Sequence, residues 1–347
     1  MIRVHKVRLD LNDRQATHMT RAAGVARFAY NWALAEWGKQ YADHKADPTL
    51  PQPTEAYLRK KLNKLKRTEY PWMLEVTKCA PQEAIMALGK AFSNFFAGRA
   101  KYPRFKARGR HDAFRISQGF FAADGSRLRI PNLGWVRMRE PLRFAGRLVS
   151  ATISRTAGGW YAAVAVDTQD NVLRSESQAE VGVDLGVKAF AVLSTGEVIE
   201  GPKALRAMLY RLRGLSKAHS RKKLGSANRK KSSAALASLH WRISCVRADA
   251  LHKLSDRLTR EFGWVAIEDL NVGGMMANRR LARHVGDQGF AEFRRQLHYK
   301  SALRGVHLAV VGRFEPTSKR CSVCGELYEG LALSDRVWTC CSCGVSH

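Results

Sequence analysis

Apolar and polar residues alternate over 2–10 (Ile2, Val4, Val7, Leu9), which predicts an opening strand. Residues 14–42 read as helix, with Ala23, Phe28, Trp32 and Leu34 among good helix formers. Pro48, Pro51 and Pro53 interrupt that pattern, and a second helix dense in Lys and Arg is predicted over 54–67. Pro71 ends it, and Pro81 opens a third helix that runs to Phe96. The texture then changes. Between 113 and 167 come short β-like runs at 114–116, 127–130, 149–154 and 160–166, separated by Gly125, Gly134, Gly146 and Gly158-Gly159. This pattern predicts a small antiparallel sheet or barrel with a helical insert at 13–112.

Residues 171–180 are polar and read as a linker. Beyond them, Val181-Gly182-Val183-Asp184 is a short buried strand, 189–193 a second and 198–199 a third. A long helical region follows, in which Leu236, Leu239, Ile243, Val246, Ala250, Leu254 and Leu258 fall on one face. Trp264-Val265-Ala266-Ile267 is a fourth strand, ending at Glu268. A helix is predicted near 290–303 and a fifth strand at 308–311. Three meander strands, helix, strand, helix and strand form an α/β order that fits a ribonuclease H-like domain over 181–318. Fold alone does not assign function.

Charge narrows the choice of partner. The 347 residues hold 59 Lys and Arg against 30 Asp and Glu, a formal net charge of +29. Such a chain repels itself unless a polyanion neutralises it, which points to nucleic acid or an anionic surface. No stretch of 18 apolar residues exists, and the start, Met1-Ile2-Arg3-Val4-His5-Lys6, lacks a secretory apolar core. Nucleic acid is therefore the leading partner, in the cytoplasm or nucleoid of a bacterium or archaeon, with no membrane.

Five of the seven cysteines crowd the last 27 residues. Cys321 and Cys324 form one C-x2-C pair; after 15 residues come Cys340 and Cys343, the second. This is the spacing of a zinc ribbon at 319–347, and four thiolates make a closed, structural site. Free or redox-active cysteines are the alternative, and Cys341 competes with Cys340. Gly325 and Gly344 follow each pair, where a knuckle turn favours φ > 0. Trp338 beside the ribbon either packs on it or stacks on a base.

Two acids sit where strands end, Asp184 and Glu268. Sites in α/β folds collect at strand ends. Converging carboxylates hold hard divalent cations, Mg²⁺ or Mn²⁺, and such cations promote phosphodiester cleavage. The alternative for either acid is a strand-end cap, and Asp269 competes with Glu268. Lys203 to Lys231 holds eleven basic residues and no acid, among them Arg221, Lys222, Lys223, Arg229, Lys230 and Lys231. One sign over that length suits a phosphate track. Lys101, Tyr102, Arg104, Phe105, Lys106, Arg108 and Arg110 interleave cations with aromatics, and Asn278, Arg279 and Arg280 form a third group.

Taken in order, Tyr30-Asn31-Trp32, Tyr102-Pro103-Arg104-Phe105-Lys106, Pro141-Leu142 with Trp160-Tyr161, Gly182-Val183-Asp184-Leu185-Gly186, Ile267-Glu268-Asp269-Leu270-Asn271, Asn278-Arg279 and the two CxxCG knuckles give a sequence that resembles the TnpB proteins. These are OrfB-type transposon proteins related to the type V CRISPR effector nucleases. The resemblance implies a wedge-type antiparallel β-barrel (1–12 and 113–170) with a helical recognition insert, then a RuvC-like nuclease domain with an inserted zinc ribbon. It implies a guide RNA from the transposon end and cleavage of double-stranded target DNA next to a short adjacent motif. The first two catalytic acids correspond to Asp184 and Glu268. The family continues past the second knuckle into an Asp-Arg-Asp-x-Asn segment with a third acid, whereas this sequence stops at His347. The expectation is an RNA-guided DNA endonuclease that binds guide and target but cuts slowly or not at all without that acid. A nuclease-dead RNA-guided repressor is the alternative, with a strand-joining transposase or a generic RNA-binding protein behind it.

Overall fold

A computed structural model of the chain describes residues 1–169, 175–316, 319–331 and 337–347. The chain folds as two compact units, 1–171 and 172–347. The first part of the linker expected at 171–180 lies outside the described residues.

In the first unit, β1 (Ile2–Asp10) leads into α1 (Asp13–Ala46), α2 (Glu55–Thr68), a 3-10 turn (Pro71–Glu75) and α3 (Cys79–Phe96). Six strands follow: β2 (Ala113–Ser117), β3 (Ala122–Asp124), β4 (Arg127–Ile130), β5 (Gly134–Met138), β6 (Arg147–Thr156) and β7 (Gly159–Asp167). The sheet order is β2-β6-β7-β1-β5-β4-β3, so the first strand of the chain lies at its centre, antiparallel to both β7 and β5. Asn12 starts α1 with a capping box: its side chain accepts from the Gln15 amide at 2.9 Å, and Gln15 returns the bond at 3.1 Å. Ala22, Ala26, Ala29 and Ala33 line the buried side of α1, and these small residues let α3 pack close with Ile85, Leu88 and Phe92. Trp37 stacks on Phe92 at 4.1 Å.

The second unit contains β8 (Glu180–Leu185), β9 (Ala191–Leu193), β10 (Val198–Ile199), α4 (Ala204–Ser220), α5 (Ala227–Glu261), β11 (Trp264–Glu268), α6 (Val272–Ala277), α7 (Ala282–Gln288), α8 (Phe290–Arg304) and β12 (His307–Val311). Its sheet runs β10-β9-β8-β11-β12; β9 is antiparallel to β8 and β10, while β11 is parallel to β8 and β12. Val181, Val183 and Leu185 of β8 and Val265 and Ile267 of β11 are buried with Leu251, Leu254 and Leu258 of α5 and Phe290, Phe293 and Leu297 of α8. Gly263 makes the turn into β11 possible: a Cβ there would lie 1.8 Å from the Ser177 carbonyl oxygen.

The stripe expected along α5 is rotated in part. Leu239 and Ile243 are buried in a seam shared with α4, but Val246 is 40% exposed and Leu251 takes over as the buried residue. The helix changes partner there, from α4 to the sheet. Eight residues at 3.6 per turn rotate the buried direction by about 80° between Ile243 and Leu251. Among the described residues no helix is long and apolar enough to cross a membrane.

Candidate active site, metal centre and nucleic-acid interface

Alternation along β8 and β11 decides which side chains can meet. Val181, Val183, Val265 and Ile267 turn into the core, so Gly182, Asp184, Ala266 and Glu268 project from the opposite face. The parallel register pairs Val181 with Val265, Gly182 with Ala266 and Val183 with Ile267. Carried one residue on, it sets Asp184 beside Glu268, on strands about 4.8 Å apart. Asp184 is exposed and Glu268 half-buried, and a cavity of about 320 Å³ adjoins Glu268 between Leu185, Asn271, Arg294 and Arg313. Two carboxylates brought together at neighbouring strand ends would be a donor set that fits a hard divalent cation.

Asp269 points elsewhere. Its carboxylate accepts from Arg313 at 2.7 Å and from Arg294, and these hydrogen bonds hold it below the usual carboxylate range. Asp269 follows the last residue of β11, and both of its carboxylate oxygens are taken up by these arginines.

The metal centre is a second, independent cluster. The Sγ atoms of Cys321, Cys324, Cys340 and Cys343 all lie within 4.8 Å of one another, with Cys321–Cys343 at 3.4 Å and Cys324–Cys340 at 3.5 Å. A tetrahedral Zn–S bond of about 2.3 Å requires sulfur atoms about 3.8 Å apart, so the cluster fits zinc. Each pair is the same small hairpin. The amides of Gly325 and Gly344 donate to the carbonyls of Cys321 and Cys340 at 3.0 and 2.9 Å, with φ of 77° and 73°. Backbone amides of Cys324 and Val323 help pull the Cys321 thiol down to about 5. Cys341 is exposed and stands outside the four-sulfur cluster. His347, which was not singled out in the sequence, places Nε2 3.1 Å from Cys321 Sγ; its only sequence signal is its place four residues after Cys343. Trp338 packs between Tyr328 at 5.4 Å and His347 at 4.8 Å.

The basic groups divide into residues that build and residues that project. In the first unit Asn31 grips the backbone of Lys106 on both sides, accepting from its amide at 2.8 Å and donating to its carbonyl at 3.0 Å. Lys106 Nζ lies 3.9 Å above the Tyr30 ring, and Tyr102 packs edge-on against Phe92 and Phe95 at 5.5 and 5.4 Å. Lys101, Arg104, Phe105, Arg108 and Arg110 of that loop are exposed. In the second unit Arg229 donates to the carbonyls of Lys222 at 2.7 Å and His219 at 3.3 Å, so it caps the turn between α4 and α5. Arg221, Lys223, Lys230 and Lys231 project from that turn. Asn278 is a turn former whose side chain accepts from the Arg280 amide at 3.0 Å, leaving the side chains of Arg279 and Arg280 exposed.

Comparison with known proteins places the chain. The family model described as "Probable transposase", of the OrfB IS605 type, matches residues 163–279; "Cas12f1-like, TNB domain" matches 290–347; and the "Helix-turn-helix domain" of the same OrfB type matches 1–46. A Streptomyces pristinaespiralis protein, "Putative RNA-guided DNA endonuclease", is 36% identical over 352 residues, covering 99% of this chain and 86% of that protein. "Putative RNA-guided DNA endonuclease InsQ" of Escherichia coli K12 is 33% identical, covering 98% of this chain and 87% of its own length. Among solved structures, the Cas12f1–sgRNA–target DNA complex superposes with a TM-score of 0.55 at 14% identity, over 92% of this chain and 77% of that one, which shows a shared fold. With more than a third of its residues identical to a relative aligned along nearly its whole length, the chain belongs to the TnpB family, the OrfB-type proteins of IS605 transposons.

Proposed function

We propose that this chain is an RNA-guided DNA endonuclease of a transposon, with Asp184 and Glu268 as its metal-holding carboxylates. The observation that carries the proposal is the parallel register that pairs Val183 with Ile267, one residue before each of these acids on neighbouring strands. The meander of β8, β9 and β10 followed by two parallel strands, each after a helical crossover, supports a ribonuclease H-like, RuvC-type domain over 181–318. The sheet of 1–12 and 113–170 serves as the wedge and α1 to α3 as the recognition insert.

Guide RNA and double-stranded target DNA are the partners this fits. Pairing between guide and target reads sequence, so the protein needs cationic surface for backbone rather than a code of base contacts. The exposed cations at 101–110, 221–231 and 279–280 are suited to that task. Mg²⁺ or Mn²⁺ bound by Asp184 and Glu268 would supply an activated water and neutralise charge at the scissile phosphodiester. Ile267 and Val183, one residue earlier on each strand, are 1% and 4% exposed in the core, which anchors the strands that carry Glu268 and Asp184. The zinc ribbon is structural.

The test is a binding competition. The purified chain, loaded with RNA transcribed from the transposon end, should retain a DNA duplex that carries the guide's complement and release one that does not. Equal retention of both duplexes would favour a generic nucleic-acid-binding protein and sink the proposal.

A further inference from the structure

Glu268 is the last residue of β11, and the ladder to β12 closes with the next amide. The chain turns at once: the Leu270 amide donates to the Glu268 carbonyl at 3.1 Å, and Asn271 caps the six-residue α6. A terminal strand residue is where pairing frays first. What holds residue 269 therefore helps to fix the backbone from which the Glu268 side chain leaves.

Asp269 is held three times. Its amide donates to the Val311 carbonyl at 2.9 Å, which ties it to β12. Its Oδ2 accepts from Arg313 Nη2 at 2.7 Å and Nε at 3.3 Å, just past β12, and its Oδ1 accepts from Arg294 of α8. Both carboxylate oxygens and two elements of the fold are thus committed to one residue beside Glu268. Asp269 is 31% exposed and the two arginines are about 40% exposed, a setting in which ion pairs add little. The network also fixes placement: residues that orient a metal-holding group act through just such hydrogen bonds.

We propose that Asp269 is a positioning residue for Glu268. Through Arg294 and Arg313 it locks the end of β11, so that the Glu268 carboxylate stays beside Asp184 for a shared divalent cation. The inference rests on the reading of Asp184 and Glu268 as a metal pair.

The experiment is a Mn²⁺ titration of the full chain, with free Mn²⁺ followed by electron paramagnetic resonance, alongside thermal melting. Glu268→Gln should abolish one saturable site. Asp269→Ala should weaken that site about 10- to 100-fold, the usual effect of losing an orienting partner. Arg313→Gln and Arg294→Gln, which leave Asp269 in place, should each weaken it by less, with the melting temperature near that of the wild type. A merely structural role predicts the reverse, lower melting and unchanged Mn²⁺ affinity, and would overturn the proposal. So would wild-type affinity in Asp269→Ala when Glu268→Gln has lost the site; in that case the metal pair stands. Wild-type Mn²⁺ binding in Glu268→Gln would instead refute the metal pair itself, and the positioning role with it.

Discussion

Replacing Cys324 by serine tests how the ribbon is held together. Among its described residues, 319–331 and 337–347, the buried side chains are Cys321 and Cys340, each 2% exposed. A segment with no other buried side chain among those residues has no apolar core to fold around, so the metal must serve as the core. Structural zinc in finger peptides contributes about 10–16 kcal/mol of apparent binding free energy near neutral pH. Shared over four thiolates, that is about 2.5–4 kcal/mol each, or a loss of about 10²- to 10³-fold in affinity when one is removed. Competition against a chromogenic chelator measures the loss, and limited proteolysis should show cleavage within 319–347 while the rest of the chain survives. Cys341→Ser is the matched control, because Cys341 is exposed and outside the sulfur cluster. Zinc held by Cys324→Ser as tightly as by the wild type, or lost equally from Cys341→Ser, would refute the reasoning.

Three further outcomes are expected. Replacing Arg221, Lys222 and Lys223 together by Ala should lower the slope of log K against log salt by about 2–3, since each phosphate contact carries about 0.7–0.9; an unchanged slope would remove that turn from the interface. Ile267→Ala, at a site 1% exposed, should cost about 2–5 kcal/mol in denaturant unfolding of the second unit, and a cost well under 1 kcal/mol would contradict the packing described. Lys300 bonds to the His252 carbonyl at 2.7 Å and Ser255 Oγ at 2.9 Å, and burial pushes its ammonium down to about 8. Between about pH 8 and 10.5 the unfolded chain then binds that proton more tightly than the folded one, so this contribution to stability rises with pH and its penalty is full below pH 8. The melting temperature of the wild type should rise relative to Lys300→Met across that window; a difference that ignores pH would refute the assignment.

Periodicity made most of the long elements legible. The prolines after 47 and the alternation over 160–166 mark the ends of their elements, and the structure has helices and strands there. Two strands of the first unit, β3 and β5, escaped. Gly134 reads as a break between strands, yet it opens β5, because pairing with β4 and β1 rather than local propensity makes 134–138 extended. The turn that splits α4 from α5 also escaped, since Arg229 stabilises it by a contact that no spacing announces. The four cysteines were readable from spacing because a ribbon is a local structure. That the strands leading to Asp184 and Glu268 are neighbours was expected from the α/β order and not from spacing, because a strand register there joins residues 84 positions apart in sequence. Asp269 was ambiguous for a related reason: alternation turns it from Glu268, but its arginine partners come from α8 and from beyond β12.

Cleavage of a plasmid bearing the guide's complement, by the RNA-loaded chain in Mg²⁺, is the most direct measurement of the central claim, run side by side with Asp184→Ala. The wild type should cut in a manner that needs both the guide and the metal. Asp184→Ala should still bind the guide and retain the target, because Asp184 projects from the sheet face and supports no core packing, but it should not cut. Cutting by Asp184→Ala at the wild-type rate would contradict the assignment of the metal-holding pair, and cutting that ignores the guide would contradict the RNA-guided function.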